Sequence, residues 1–260
     1  MPTIVMVHGA FCGGWAFDGF RAPFEACGWD VIAPDLPGHG EGEARAAVAG
    51  LSMSAYAGAL AGLCAELPEP PVLLGHSMGG LVCQMAARRV RPKAMVLLAP
   101  SPPWGVAGSS LEEAVTAFGV SFADPFWTGE VAPDHALMRR HSLDRTPKAL
   151  RDTVLARLRP ESGRAVREVL NWWLDPFMTT SLGAGPLPAP SLAVAGERDV
   201  VHAAATVRQT ADRIGARFLC LPGMSHWLIG ERGWEAVAGA ALDWLDEALE
   251  PPVSRATKAS

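Results

Sequence analysis

Ser77 stands in the pentapeptide Gly75-His76-Ser77-Met78-Gly79, inside the stretch VLLGHSMGGLV (residues 72–82). An apolar run stops, a serine sits between glycines, and an apolar run resumes. This G-x-S-x-G pattern marks a nucleophile elbow when it follows a strand and opens a helix. The turn is sharp enough to strain the serine backbone. Side chains two residues to either side would collide across it, so glycines fill those places. The hydroxyl then projects above the sheet, and the chemistry open to it is attack on a carbonyl. An ordinary glycine-rich turn shares the same five residues, so the other groups that this chemistry requires must decide.

A serine hydroxyl is a weak nucleophile. It needs a base within hydrogen-bond reach, and the base needs an acid that fixes its tautomer. Around an elbow these follow in the order serine, acid, histidine. The candidate base is His226, in LPGMSHWLIGERGW, between the last apolar run and the last helical segment. His8 and His76 sit in glycine turns, His39 lies in DLPGHG, and His135 and His141 fall in a helical interval. His202 comes three residues after Asp199. Asp199, in AVAGERDVVH, is the candidate acid, with Glu197 as its rival in a turn or a surface ion pair. The other place from which an acid could reach His226 reads APSPP and has no carboxylate.

The developing oxyanion needs donors. One is the backbone N–H of Met78, the residue after the nucleophile at the helix N-terminus. The second is expected from the loop VHGAFCGGW, where the N–H of Ala10 is the choice and that of Phe11 the fallback.

These residues need elements that bring them to one edge. Six short apolar runs recur, at 3–9, 29–35, 71–77, 94–100, 190–196 and 216–223. None alternates strictly, as expected of strands buried on both faces. Helical segments separate them, at 14–28, 54–67, 79–90, 203–215 and 233–249. Strand–helix alternation predicts an α/β fold, a mostly parallel six-stranded sheet flanked by helices. Such sheets bind ligands at the carboxyl ends of their strands, and every motif above falls at such an end. Between the fourth and fifth runs no buried strand is evident, and the interval is too long for a loop. Its helical stretches at 110–120, 147–158 and 163–174 predict a helical cap inserted after the fourth strand. The expected division is a core of residues 1–101 and 188–250, a cap of 102–187, and a disordered tail of 251–260 behind Pro251-Pro252.

Composition narrows the function classes. The chain has 260 residues, 49% hydrophobic and 19% charged, with a formal net charge of -5 and no dense basic run. That excludes the basic footprint of a nucleic-acid binder. No apolar stretch reaches the ~20 residues that span a bilayer, and MPTIVMVHG reads as a core strand rather than a leader. Five cysteines, Cys12, Cys27, Cys64, Cys83 and Cys220, show no CxxC spacing. They read as buried thiols in a reducing cytoplasm, with neither a disulfide framework nor a zinc site.

Taken in order, VHGAFCGGWAF, DLPGHG, GHSMGG, GERDVV and GMSHW resemble the α/β-hydrolase superfamily over roughly 1–101 and 188–249. The opening is most similar to the branch of plant methylesterases and hydroxynitrile lyases. The lyases of that branch carry a lysine after the catalytic histidine and a threonine in the first loop. Here Trp227 and Ala10 stand at those places, so the resemblance implies the esterase side. A serine at the elbow, not an aspartate, argues against the related dehalogenases and epoxide hydrolases.

The expectation is a serine carboxylesterase for small to medium uncharged esters, working through an acyl-enzyme on Ser77 with no metal or cofactor. A lactonase, a C–C bond hydrolase or a cofactor-free haloperoxidase would use the same triad. A non-enzymatic small-molecule receptor is the reading of another class. Phe11, Trp127, Trp172 and Trp227 are the expected pocket residues. Trp172 and Trp173 are adjacent on one predicted helix, so at most one of them meets substrate. No arginine cluster stands out as a clamp for a charged acid, with Arg139-Arg140 the one candidate. Oligomeric state is not legible.

Overall fold

The computed structural model describes residues 1–108 and 129–250. Phe118, Phe122, Phe126, Trp127, the predicted helix at 110–120 and the tail 251–260 lie outside the described residues.

Six strands form one sheet: β1 (Thr3–Val7), β2 (Asp30–Ile32), β3 (Val72–His76), β4 (Met95–Leu98), β5 (Ser191–Gly196) and β6 (Arg217–Leu221). Their spatial order is β2-β1-β3-β4-β5-β6, and every pair is parallel. The register sets Gly75 of β3 beside Val7 of β1 and Leu97 of β4. The carboxyl ends of these strands therefore line up at one edge. β1, β3, β4 and β5 are buried along nearly their whole length, which explains their unbroken apolar sequences.

Successive side chains point to opposite faces, and two clusters result. Ile4, Met6, Leu74 and Leu98 meet Phe20, Phe24, Val237 and Leu245 on one face. Val5, Val7, Leu73 and Leu97 meet Tyr56, Leu60, Leu81 and Ala86 on the other. The covering helices are α1 (Ala22–Ala26) and α7 (Trp234–Leu249) on the first face, α2 (Met53–Ala65) and α3 (Met78–Val90) on the second. α6 (Ala204–Ile214) closes the end beside β5.

The predicted helix over 14–28 is a correction. The segment breaks into a 3-10 turn, Gly14–Phe17, and the short α1. Pro23 lies in the first turn of α1; with no N–H it cannot continue a helix arriving from residue 19.

Between β4 and β5 the described residues carry α4 (Lys148–Arg157) and α5 (Gly163–Leu170), joined by residues 158–162. A two-residue ladder pairs Glu130–Val131 with Glu161–Ser162. Five buried apolar residues of this excursion join the two sheet clusters: Leu143, Val154 and Leu155 the first, Ala165 and Val169 the second. The predicted helix over 163–174 ends at Leu170, and Trp172–Leu174 is a separate 3-10 turn. Among the described residues no helix is long and apolar enough to cross a membrane.

Candidate active site

Ser77 follows the last residue of β3 and precedes the first of α3. Its backbone is at φ 54°, ψ -122°, a region that non-glycine residues enter only under strain. The strain is held in place from both sides. Ser77 N–H donates to Leu98 O at 3.0 Å, and Ser77 O accepts from Gly80 and Ser101. The flanking glycines have the cause expected of them. A Cβ at Gly75 would lie 2.5 Å from Gly79 O, and one at Gly79 would lie 2.1 Å from Val7 O.

The three predicted side chains meet. His226 Nε2 is 3.1 Å from Ser77 Oγ, and His226 Nδ1 is 2.9 Å from Asp199 Oδ2. A carboxylate can only accept, so Nδ1 carries the proton and Nε2 is left to accept from the Ser77 hydroxyl. Burial alone would raise the Asp199 carboxyl. The electrostatic attraction and hydrogen bond of His226, with the His202 N–H, outweigh that and hold it below the usual carboxylate range. The rival, Glu197, is exposed and accepts the N–H of Gly223. It takes the turn role and does not touch His226.

The loop after β1 lies over Ser77: a Cβ on Gly9 would be 3.1 Å from Ser77 Cβ. The two candidate second donors differ in what they face. Phe11 N–H points to Glu161 Oε2 at 3.3 Å, whereas Ala10 N–H and Met78 N–H have no acceptor among the described residues.

Ser77 and His226 open onto a cavity of about 120 Å³, and Ala10, Phe11, Met78 and Trp227 line it as well. The insertion contributes Leu137, Met138, His141, Val166, Val169 and Leu170. No lysine, arginine, aspartate or glutamate lines this cavity among the described residues. Trp172 is a correction: it does not line the cavity, but packs edge-on to Trp104 at 5.3 Å. Trp173 is half exposed. Trp127 lies outside the described residues. Arg139 and Arg140 are exposed and off the cavity.

Sequence reasoning passed over Ser101 and His202. His202 is buried, bonds Ser101 Oγ at 2.9 Å and lies edge-on to the His226 ring at 5.3 Å. Burial, helped by the neighbouring His226, lowers its pKa to about 4, so it stays neutral beside that ring. The available signal was its spacing: Asp199 Oδ1 accepts the N–H groups of Val201 and His202, and that turn carries His202 back to the site.

Among the described residues no group of three or more His, Cys, Asp or Glu is arranged to hold a metal ion. Cys12, Cys64 and Cys83 are buried free thiols, but Cys27 is exposed and Cys220 partly so, which corrects the expectation that all five are buried.

A model of the alpha/beta hydrolase family matches residues 4–241. A pimeloyl-[acyl-carrier protein] methyl ester esterase of Aromatoleum aromaticum is 35% identical over 140 residues, 48% of this chain and 51% of that protein. The chain spans about half the length, or less, of the curated relatives it matches at this level. The magnesium-chelatase 30 kDa subunit of Rhodobacter capsulatus is 27% identical over 94% of this chain and 87% of its own. Among solved structures, the methylesterase MES16 of Arabidopsis superposes with a TM-score of 0.73 at 17% identity, covering 95% of this chain and 100% of that one. That likeness is one of fold.

Proposed function

The chain belongs to the alpha/beta hydrolase family, and from that membership we propose that it is a serine carboxylesterase acting on small to medium uncharged esters. The observation that carries the reading is the hydrogen-bonded run from Ser77 through His226 to Asp199 on the wall of an apolar cavity. The esterase relatives support it.

Ser77 Oγ attacks the ester carbonyl while His226 Nε2 takes its proton. Asp199 holds the imidazole and stabilises its charged form. The N–H groups of Met78 and Ala10 receive the oxyanion. Each such donor is worth roughly 3 kcal/mol of barrier. The tetrahedral species collapses, His226 protonates the departing alcohol, and the acyl group stays on Ser77. Water enters and attacks the acyl carbonyl as His226 takes its proton; His226 then gives that proton to Ser77 Oγ as the bond to the acyl carbon breaks and the acid leaves.

The lining without charged side chains favours an uncharged substrate. The size of the cavity is close to that of ~150 Å³ protein cavities that admit a benzene ring. Free thiols support a reducing, cytoplasmic setting.

The test is hydrolysis of p-nitrophenyl acetate, butyrate, octanoate and palmitate by the wild type and by Ser77→Ala. Turnover that vanishes in the variant is the expected result. A well-folded wild type with no turnover would overturn the reading and favour a small-molecule receptor on the same fold.

A further inference from the structure

Glu161 comes from the insertion, is fully buried, and fastens the loop that carries Ala10. Its Oε1 accepts from Tyr56 Oη at 2.6 Å and from Ser162 N at 2.8 Å. Its Oε2 faces His39 Nε2 at 3.0 Å and Phe11 N at 3.3 Å. The other ring nitrogen of His39 faces Pro37 O at 3.2 Å. Both His39 nitrogens thus point at oxygens that only accept, which requires both to carry protons. Glu161 and His39 form a buried ion pair that ties the insertion to the DLPGHG turn.

Phe11 is gripped at both of its peptide groups. Its N–H faces Glu161, and its carbonyl accepts from Arg159 N at 2.9 Å. Its φ of 66° lies where a bulky side chain is strained, and such a conformation persists only when the surroundings over-determine it. The next residue back is Ala10. With the Phe11 N–H turned to Glu161, the Ala10 N–H is the one left for an oxyanion.

We infer that Glu161 is a positioning residue: through Phe11 it locks the β1 loop so that Ala10 N–H addresses the oxyanion on Ser77, making the insertion part of the oxyanion device. This rests on the esterase reading. A donor held by a fixed frame needs no reorganisation as charge develops. A donor on a loosened loop loses that advantage without losing ground-state binding.

The variant is Glu161→Gln, which keeps the shape and removes the charge, with His39→Gln as a second variant that leaves Glu161 in place. Two readouts are needed. Amide hydrogen exchange over 8–12 should lose protection at least about tenfold relative to β3 in the same molecule. Turnover per titrated active site should fall roughly tenfold or more in kcat with KM little changed. It should fall for an ordinary ester and much less for its thiono analogue, whose sulfur accepts hydrogen bonds poorly. Unchanged exchange at 8–12 overturns the proposal whatever the kinetics. Lost protection with an unchanged oxo-to-thiono ratio also overturns it. If the wild type shows no Ser77-dependent turnover, the esterase reading and the catalytic part of this proposal fall together, and the exchange result alone decides whether the clamp exists.

Discussion

Asp199 Oδ2 and His226 Nδ1 stand 2.9 Å apart although 27 residues separate them in the chain. The carboxylate is oriented by contacts other than the histidine, because its other oxygen accepts Val201 N–H at 2.8 Å and His202 N–H at 2.9 Å. One oxygen builds the turn and the other is left to aim at the imidazole.

This division predicts the outcome of two substitutions. Asp199→Asn should lower kcat by about 10⁴-fold, because an amide at that place favours the wrong tautomer of His226. Glu197→Gln should stay within about twofold of wild type, since Glu197 meets only the Gly223 N–H. Steady-state kinetics of the pair checks it; a dead Glu197→Gln with an active Asp199→Asn would reassign the acid.

Two glycines, one in the elbow and one in α7, predict opposite effects of substitution. At Gly79 a Cβ would press on backbone atoms of Val7 and His8, which cannot move without moving β1. Gly79→Ala should destabilise by at least 1–3 kcal/mol, roughly the cost of overpacking. Gly239 lies inside α7 with nothing near its missing Cβ. Gly239→Ala should stabilise by about 0.5–1 kcal/mol. Urea melts of the two variants measure both.

Acid should destabilise the fold well above the carboxylate range. Burial lowers His8 to about 4, His76 to about 3 and His202 to about 4, against about 6.5 in the unfolded chain. Between those values the unfolded state binds more protons, so stability rises with pH across the window and is lost as pH falls through it. At pH 5 each histidine costs on the order of 1–2 kcal/mol. The expected result is a falling Tm from pH 7 to pH 5. His202→Gln should flatten that slope; an unchanged slope would mean that His202 is charged in the folded protein.

The cavity predicts a chain-length profile. With about 120 Å³ beside Ser77, acetyl and butyryl esters should be cleaved with kcat/KM at least about tenfold above palmitoyl esters. A maximum at palmitate would show that the acyl group runs elsewhere. A strong preference for anionic esters would contradict the lining without charged side chains.

What the sequence made legible follows from how narrowly chemistry restricts a position. That Ser77, His226 and Asp199 meet could be read because the roles proposed for them admit few residue types in one chain order. The strands could be read because burial on both faces leaves unbroken apolar runs. Glu161 could not. In RPESG it is one glutamate among many, and its role arises from Tyr56, His39 and Phe11, which three distant segments bring to it. Trp172 was misplaced because LNWWL continues a helical pattern. The helix in fact stops at Leu170, and Asn171, at φ -120°, ψ 41°, turns the indole toward Trp104.

The backbone of Ser77 carries one more consequence. Its φ of 54° and ψ of -122° would suit glycine better than any residue with a Cβ. The strain, on the order of 1–3 kcal/mol, is present in every folded molecule whether or not a substrate is near. Heat resistance and turnover therefore pull in opposite directions at this single position. Selection of stabilised variants by melting temperature alone would reward Ser77→Gly, which removes the proposed nucleophile, so any such screen has to read activity alongside survival.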